Sequence, residues 1–163
     1  MRTQVIKWGS IGLVIVVLGL CLCLWVIYWK GGSEPSTVSA AEAGDIQLLK
    51  TLQQKGMSLD YHDPRKYMWT PLMAGVYAGN SNIVAYLLKQ KVDIEARDTR
   101  GRTALIWAVN VAGKDLSIVE MLLENGAKTN VTDNSGLNVF GLAKANPQKD
   151  RLFDILSRAP RPK

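Results

Sequence analysis

Two kinds of apolar pattern divide the chain. Ile11 to Trp29 is an unbroken run without a charged or strongly polar side chain. Nineteen residues at ~1.5 Å each reach roughly 28 Å, close to the ~30 Å hydrocarbon core of a bilayer. Trp8 stands at one end, and Trp25, Tyr28 and Trp29 stand at the other. Such rings favour the headgroup boundary. The run predicts one transmembrane helix over residues 9–29, a signal anchor, after a short segment 1–8. Beyond it, apolar residues come in paired short stripes at helical spacing. Leu72, Ala74 and Val76 mark one stripe; Ile83, Val84, Leu87 and Leu88 mark the next. Gly79 parts the two, as Gly44 and Gly113 do elsewhere. A glycine there takes a left-handed conformation and ends the first helix.

The stripes recur. Asp63, Asp98 and Asp133 stand 35 residues apart, and so do Asp60, Glu95 and Asn130. Leu48, Ile83 and Ile118 keep the interval, as do Leu52, Leu87 and Leu122. Self-similarity at this period signals stacked two-helix units. Thr70 and Thr103 are placed to cap first helices with their hydroxyls, and Pro71 suits the first helical turn. The polar stretches between units, such as Asp93 to Asp98, read as turns, and the recurring aspartates as turn residues bonded to their own backbone.

Thr70-Pro71-Leu72-Met73-Ala74, Gly101-Arg102-Thr103-Ala104-Leu105 and Asn125-Gly126-Ala127 resemble the signature of the ankyrin repeat. The resemblance covers Thr37 to about Arg158 and implies an all-α solenoid of about four helix-turn-helix units. These fall at about 37–63, 64–98, 99–133 and 134–158, behind the transmembrane helix and a linker over residues 30–36, with a basic tail over 159–163. The outer units lack the full signature, as terminal capping units do. The chain departs from the family in its period of 35. Two extra residues lengthen the turn before Thr70, where the usual glycine is absent; two more lengthen the helix or its exit before Asp115. Met73 and Ile106 replace the motif's histidine.

Charge sharpens the topology. Arg2, Lys7 and Lys30 flank the apolar run, leaving 20 minus 3, or 17, basic side chains against 14 acidic ones over residues 31–163. That balance is too mild for a nucleic-acid partner. Two basic residues before the run against one after it predict a cytoplasmic N-terminus. The repeat domain is then extracytoplasmic on a single-pass inner (plasma) membrane protein, in the periplasm if the cell is bacterial. Two other readings stay open. One is a cleaved signal peptide, although the run exceeds the usual h-region. The other is a lipoprotein modified at Cys21, although Leu20 is large for the preceding position.

Cys21 and Cys23 lie inside the run and His62 is the single histidine, which excludes a cysteine framework or a multi-histidine metal site in the repeats. No set of residues meets the requirements of an active site. Neither catalysis, a cofactor nor a small-molecule substrate is expected. Binding remains, to a protein partner the sequence does not identify. The resemblance implies contact through turn tips and the concave faces of first helices. In this chain those positions, with the aromatic turn beside them, are Tyr61, His62, Arg65, Lys66, Tyr67, Trp69, Tyr77, Arg97, Arg100, Arg102, Asn110, Asn134 and Leu137. Aromatics and arginine carry most interface energy. Trp69 and Tyr67 also have a packing role open to them, tucked under the lengthened turn, while Trp107 replaces an interior leucine and reads as core. Similar anchored bacterial ankyrin proteins imply an inhibitor, immunity or scaffold role. The alternative is a peripheral anionic-lipid-binding element or a membrane-complex subunit.

Overall fold

A computed structural model describes residues 35–113 and 116–158. From Ser36 onward they belong to the second of two compact units, Ser36–Lys163. The expected membrane helix over 9–29, its flanks and the basic tail 159–163 lie outside the described residues. Among the described residues no helix is long and apolar enough to cross a membrane.

Eight α-helices are described: α1 (Thr37–Ala43), α2 (Ile46–Gln54), α3 (Pro71–Tyr77), α4 (Ser81–Lys89), α5 (Ala104–Val111), α6 (Ser117–Glu124), α7 (Val139–Ala143) and α8 (Lys149–Arg158). No strand occurs among the described residues, where pairing is confined to one isolated bridge between Asp63 and Trp69. The helices form four antiparallel pairs. First helices stack on first helices, α1 on α3, α3 on α5 and α5 on α7, and α4 packs on α6 in the second row.

Each first helix starts on a side-chain cap. Ser36, Thr70, Thr103 and Asn138 accept from Ser39, Met73, Ile106 and Gly141 backbone N–H groups. A cap of this kind contributes about 1 kcal/mol. The expected caps Thr70 and Thr103 are present. Ser36, the last residue of the expected linker, is a buried cap in a reciprocal pair with Ser39. Gly44 and Gly79 end their helices at φ 73° and 71°. Gly113 does not adopt positive φ. The extra residues explain this difference: α5 runs eight residues against seven in α3, and its exit turns at Ala112 with φ −58° and ψ 112°. The chain leaves through extended backbone, so no left-handed residue is required.

Middle first helices are sandwiched, so they are apolar on nearly every side. Pro71 to Val76 are all buried in α3, as are Ala104 to Val109 in α5. Second helices bury one stripe only: Ile83, Val84, Leu87 and Leu88 in α4, and Leu152 and Leu156 in α8. Leu72, Ile83, Leu87, Leu105 and Leu122 are fully buried, and each stabilises the stack by roughly 1.5–3 kcal/mol.

Polar side chains join the units. Asp60 accepts from the Asp93 N–H at 2.8 Å, and Glu95 accepts from the Lys128 N–H at 2.8 Å. The periodic acidic residues thus staple one turn to the next. Asn80 donates to the Ala41 and Glu42 carbonyls, and Asn146 donates to those of Val109 and Ala112. These carbonyls lie near the ends of α1 and α5, where helices leave acceptors unpaired.

Candidate interaction site

The two turns singled out in the sequence are built differently from one repeated aspartate. At the boundary of the first and second units, Asp63 starts a 3-10 turn over Pro64–Lys66. Its carboxylate accepts from Arg65 N at 2.9 Å, Arg65 Nε at 3.1 Å and Arg65 Nη2 at 3.2 Å. That side-chain hydrogen bond holds the Asp63 carboxyl below its ordinary pKa, against the opposing effect of burial, and raises that of Arg65. The turn closes through Tyr67 and Met68, both left-handed at φ 54° and 60°, before Asp63 N donates to Trp69 O at 2.9 Å. The third unit uses one glycine for the same purpose, Gly101 at φ 73°. Left-handed backbone costs a non-glycine residue roughly 1–2 kcal/mol. The strained pair lifts the Tyr67 ring into solvent, where the residue is 63% exposed.

At the boundary of the second and third units, Asp98 is buried and accepts five hydrogen bonds or ionic contacts. Arg100 N and Arg102 N reach Oδ1 at 2.8 and 2.9 Å. Arg102 Nε at 2.9 Å, Arg102 Nη2 at 2.8 Å and Trp107 Nε1 at 3.1 Å reach Oδ2. The Arg102 guanidinium carbon sits over the Trp107 ring, 3.7 Å from the centroid, a cation–π contact of about 0.5–2 kcal/mol.

Between the turns, three rings meet. Trp69 lies 4.9 Å from both Tyr77 and Trp107, and Tyr77 lies 5.4 Å from Trp107, in tilted and edge-to-face arrangements. With Glu42, Arg65, Lys66, Tyr67, Arg100 and Arg102 they line an open cavity of about 380 Å³. Lys66 is ion-paired to Glu42 of α1. The cavity is therefore made by three consecutive units. Trp69 Nε1 is buried without a hydrogen-bond partner, although its ring packs on two others.

Seven of the residues selected from sequence come together here: Arg65, Lys66, Tyr67, Trp69, Tyr77, Arg100 and Arg102. Tyr77 is half-exposed, whereas Trp69 is 8% exposed and acts as a wall, not a projecting contact. The others lie elsewhere. Tyr61 is exposed beside His62, whose Nδ1 sits 3.1 Å from the Asp60 carbonyl oxygen. Arg97 donates to Thr132 O at 3.3 Å. Asn134 is a joint residue: its N–H donates to Arg100 O at 2.9 Å and its Nδ2 to Thr99 O at 3.2 Å. Asn110 lines a separate cavity of about 260 Å³ next to α7, and Leu137 is exposed on the last turn. Two lining residues escaped the sequence reading. Glu42 carries no local signal, being 24 residues from its partner Lys66. Trp107 reads as core and is buried, yet its face forms part of the cavity. Its signal was the polar indole N–H five residues after Arg102, which requires an acceptor when buried.

The family model for ankyrin repeats (3 copies) matches residues 38–133. The chain belongs to the ankyrin-repeat family. Repeats of this family are as a class protein-interaction modules. Relatives include the mouse ankyrin repeat and SAM domain-containing protein 6, 35% identical over 93 residues, which are 57% of this chain and 10% of that protein. An ankyrin repeat-containing protein of Treponema pallidum is 31% identical over 106 residues, 64% of this chain and 34% of its own length. A Rickettsia felis ankyrin repeat protein is 36% identical over 76 residues, 46% of this chain and 20% of its own length. The chain thus covers at most about a third of the length of these relatives.

Proposed function

We propose that this ankyrin-repeat chain is a membrane-anchored protein-interaction module that grips a partner protein at the cavity between the Asp63 and Asp98 turns. The observation that carries the reading is the convergence of aromatic and arginine side chains from both turns on that one cavity. Residues 9–29 hold the chain in the plasma membrane by the length and flanking rings of their apolar run. The charge asymmetry puts the N-terminus in the cytoplasm and the repeats outside, in the periplasm if the cell is bacterial. An inhibitor, immunity or scaffold role toward an envelope protein follows by analogy with anchored proteins of this kind. The anionic-lipid reading has less support, because three of the four cations lining the cavity are already ion-paired.

Cross-linking in the native membrane tests the proposal. The full chain should recover a partner that Tyr67→Ala with Tyr77→Ala loses, since these two rings are the exposed part of the wall. Equal recovery would discard this face. A reporter fused after Lys163 and active only outside the cytoplasm tests the topology; silence there, with activity of a cytoplasmic reporter, reverses it.

A further inference from the structure

Three touching rings make a surface that ordinarily attracts a cation. Here that place is taken. Arg102 already sits 3.7 Å above Trp107, and Arg65, Lys66 and Arg100 line the same cavity. A cationic guest would meet a lining that keeps one positive charge in excess of its paired carboxylates. The charge count then selects the guest. Lys66 is paired with Glu42, Arg65 with Asp63 and Arg102 with Asp98. The Arg100 guanidinium has no hydrogen bond or ion pair. Its backbone is nevertheless fixed on both sides: the N–H donates to Asp98 Oδ1 at 2.8 Å, and the carbonyl accepts from Asn134 N at 2.9 Å. Arg100 is a positioned fork of donors awaiting an acceptor. The exposed Tyr67 and half-exposed Tyr77 rings line the same cavity.

We propose that the cavity recognises an acidic side chain adjoining an apolar one on a partner's polypeptide segment, with Arg100 bonding the carboxylate and Tyr67 and Tyr77 covering the apolar neighbour. This rests on the reading of the face as protein-binding and adds the chemistry of what it binds. At about 380 Å³ the cavity admits side chains, not a folded surface. A membrane surface fits less well, because it presents a plane to a recess holding one unpaired cation.

The test is selection of a random dodecapeptide phage library on the full chain held in neutral phosphatidylcholine nanodiscs. Enriched peptides should share Asp or Glu beside an aromatic or aliphatic residue. Arg100→Glu should weaken them about tenfold or more by placing like charges together, and exchanging the peptide's acidic residue for Lys should restore binding to that variant. Because the Arg100 side chain makes no hydrogen bond or ion pair with the described residues, Arg100→Glu should leave the urea unfolding midpoint unchanged. Peptides without acidic preference that ignore Arg100→Glu yet are lost with Tyr67→Ala and Tyr77→Ala would overturn the inference and leave the face intact as a protein-binding site. Peptides indifferent to all three positions, or no enrichment, would remove both. Salt-sensitive binding of phosphatidylglycerol vesicles lost in Arg100→Glu, with no peptide preference, would assign the cation to lipid and also overturn it.

Discussion

Replacing each of the three recurrent aspartates by alanine should give three different losses of stability. Asp98→Ala removes the acceptor of two backbone N–H groups, the Trp107 indole and the Arg102 guanidinium at once. The Asp98 side chain is fully buried and that of Arg102 only 13% exposed, so water replaces the lost partner poorly. Breaking a buried pair from one side costs about 3–5 kcal/mol. At an m-value of about 2 kcal/mol/M, the urea midpoint should fall by roughly 1.5–2.5 M. Asp63→Ala leaves Arg65 able to rehydrate, since its side chain is 55% exposed, and should cost about 1–2 kcal/mol. Asp133→Ala gives up only the Ser135 and Leu137 N–H groups, at about 1 kcal/mol. Asp98→Asn should fall between wild type and alanine, because its carbonyl still serves one side of the network. The assay is urea unfolding of the full chain in detergent, followed by far-ultraviolet circular dichroism. Equal losses at the three positions, or a larger loss at Asp133 than at Asp98, would refute the claim that burial of the arginine partner sets the cost.

Three further outcomes follow from the same geometry. Trp107→Phe should cost about 2 kcal/mol more than Trp69→Phe, because the first loses a bond to a carboxylate while the second discards a buried, unpartnered N–H; equilibrium unfolding measures the difference. Gly101→Ala should destabilise by about 2–3 kcal/mol and Gly79→Ala by about 1, since both are left-handed but only at Gly101 does a new Cβ come within 2.4 Å of Asn134 Oδ1. Below about pH 4, near the ordinary carboxylate pKa, wild type should lose a stability increment that Asp63→Asn lacks. The folded carboxyl is depressed by Arg65, so its contribution is full above the unfolded pKa and is lost as pH falls through the folded value. Thermal melts of both proteins across the acid range check the convergence.

The repeat was legible because its rules are local. Thr70 and Thr103 sit three residues before the N–H groups they cap, and the aspartates bond N–H groups two to four residues on. The lengthened turn showed itself through the missing glycine, but its closure through two left-handed non-glycine residues did not, since Tyr67 and Met68 have no propensity for it. What crosses units was hidden. The interval of Asp60 and Glu95 was visible, yet the N–H groups they accept from lie 33 residues away. Trp107 fitted an interior position by size; only the placement of Asp98 and Arg102 beside it makes one face a wall of the cavity. Trp69 looked like a loop contact because its neighbours are polar or exposed, whereas Tyr77 and Trp107 enclose it.

Because the cavity is lined from Glu42 in the first unit to Trp107 in the third, it doubles as a mechanical joint. The two turns that flank it meet through Thr99 N donating to Tyr67 O. A guest lodged between them is held by three repeats together, so stretching the chain between its ends would shear the guest before those repeats could part. Occupancy would raise the force at which the first three units unravel and leave the release of the last pair, α7 and α8, unchanged. If the proposed partner lodges there, the first three units share its load and the last pair does not.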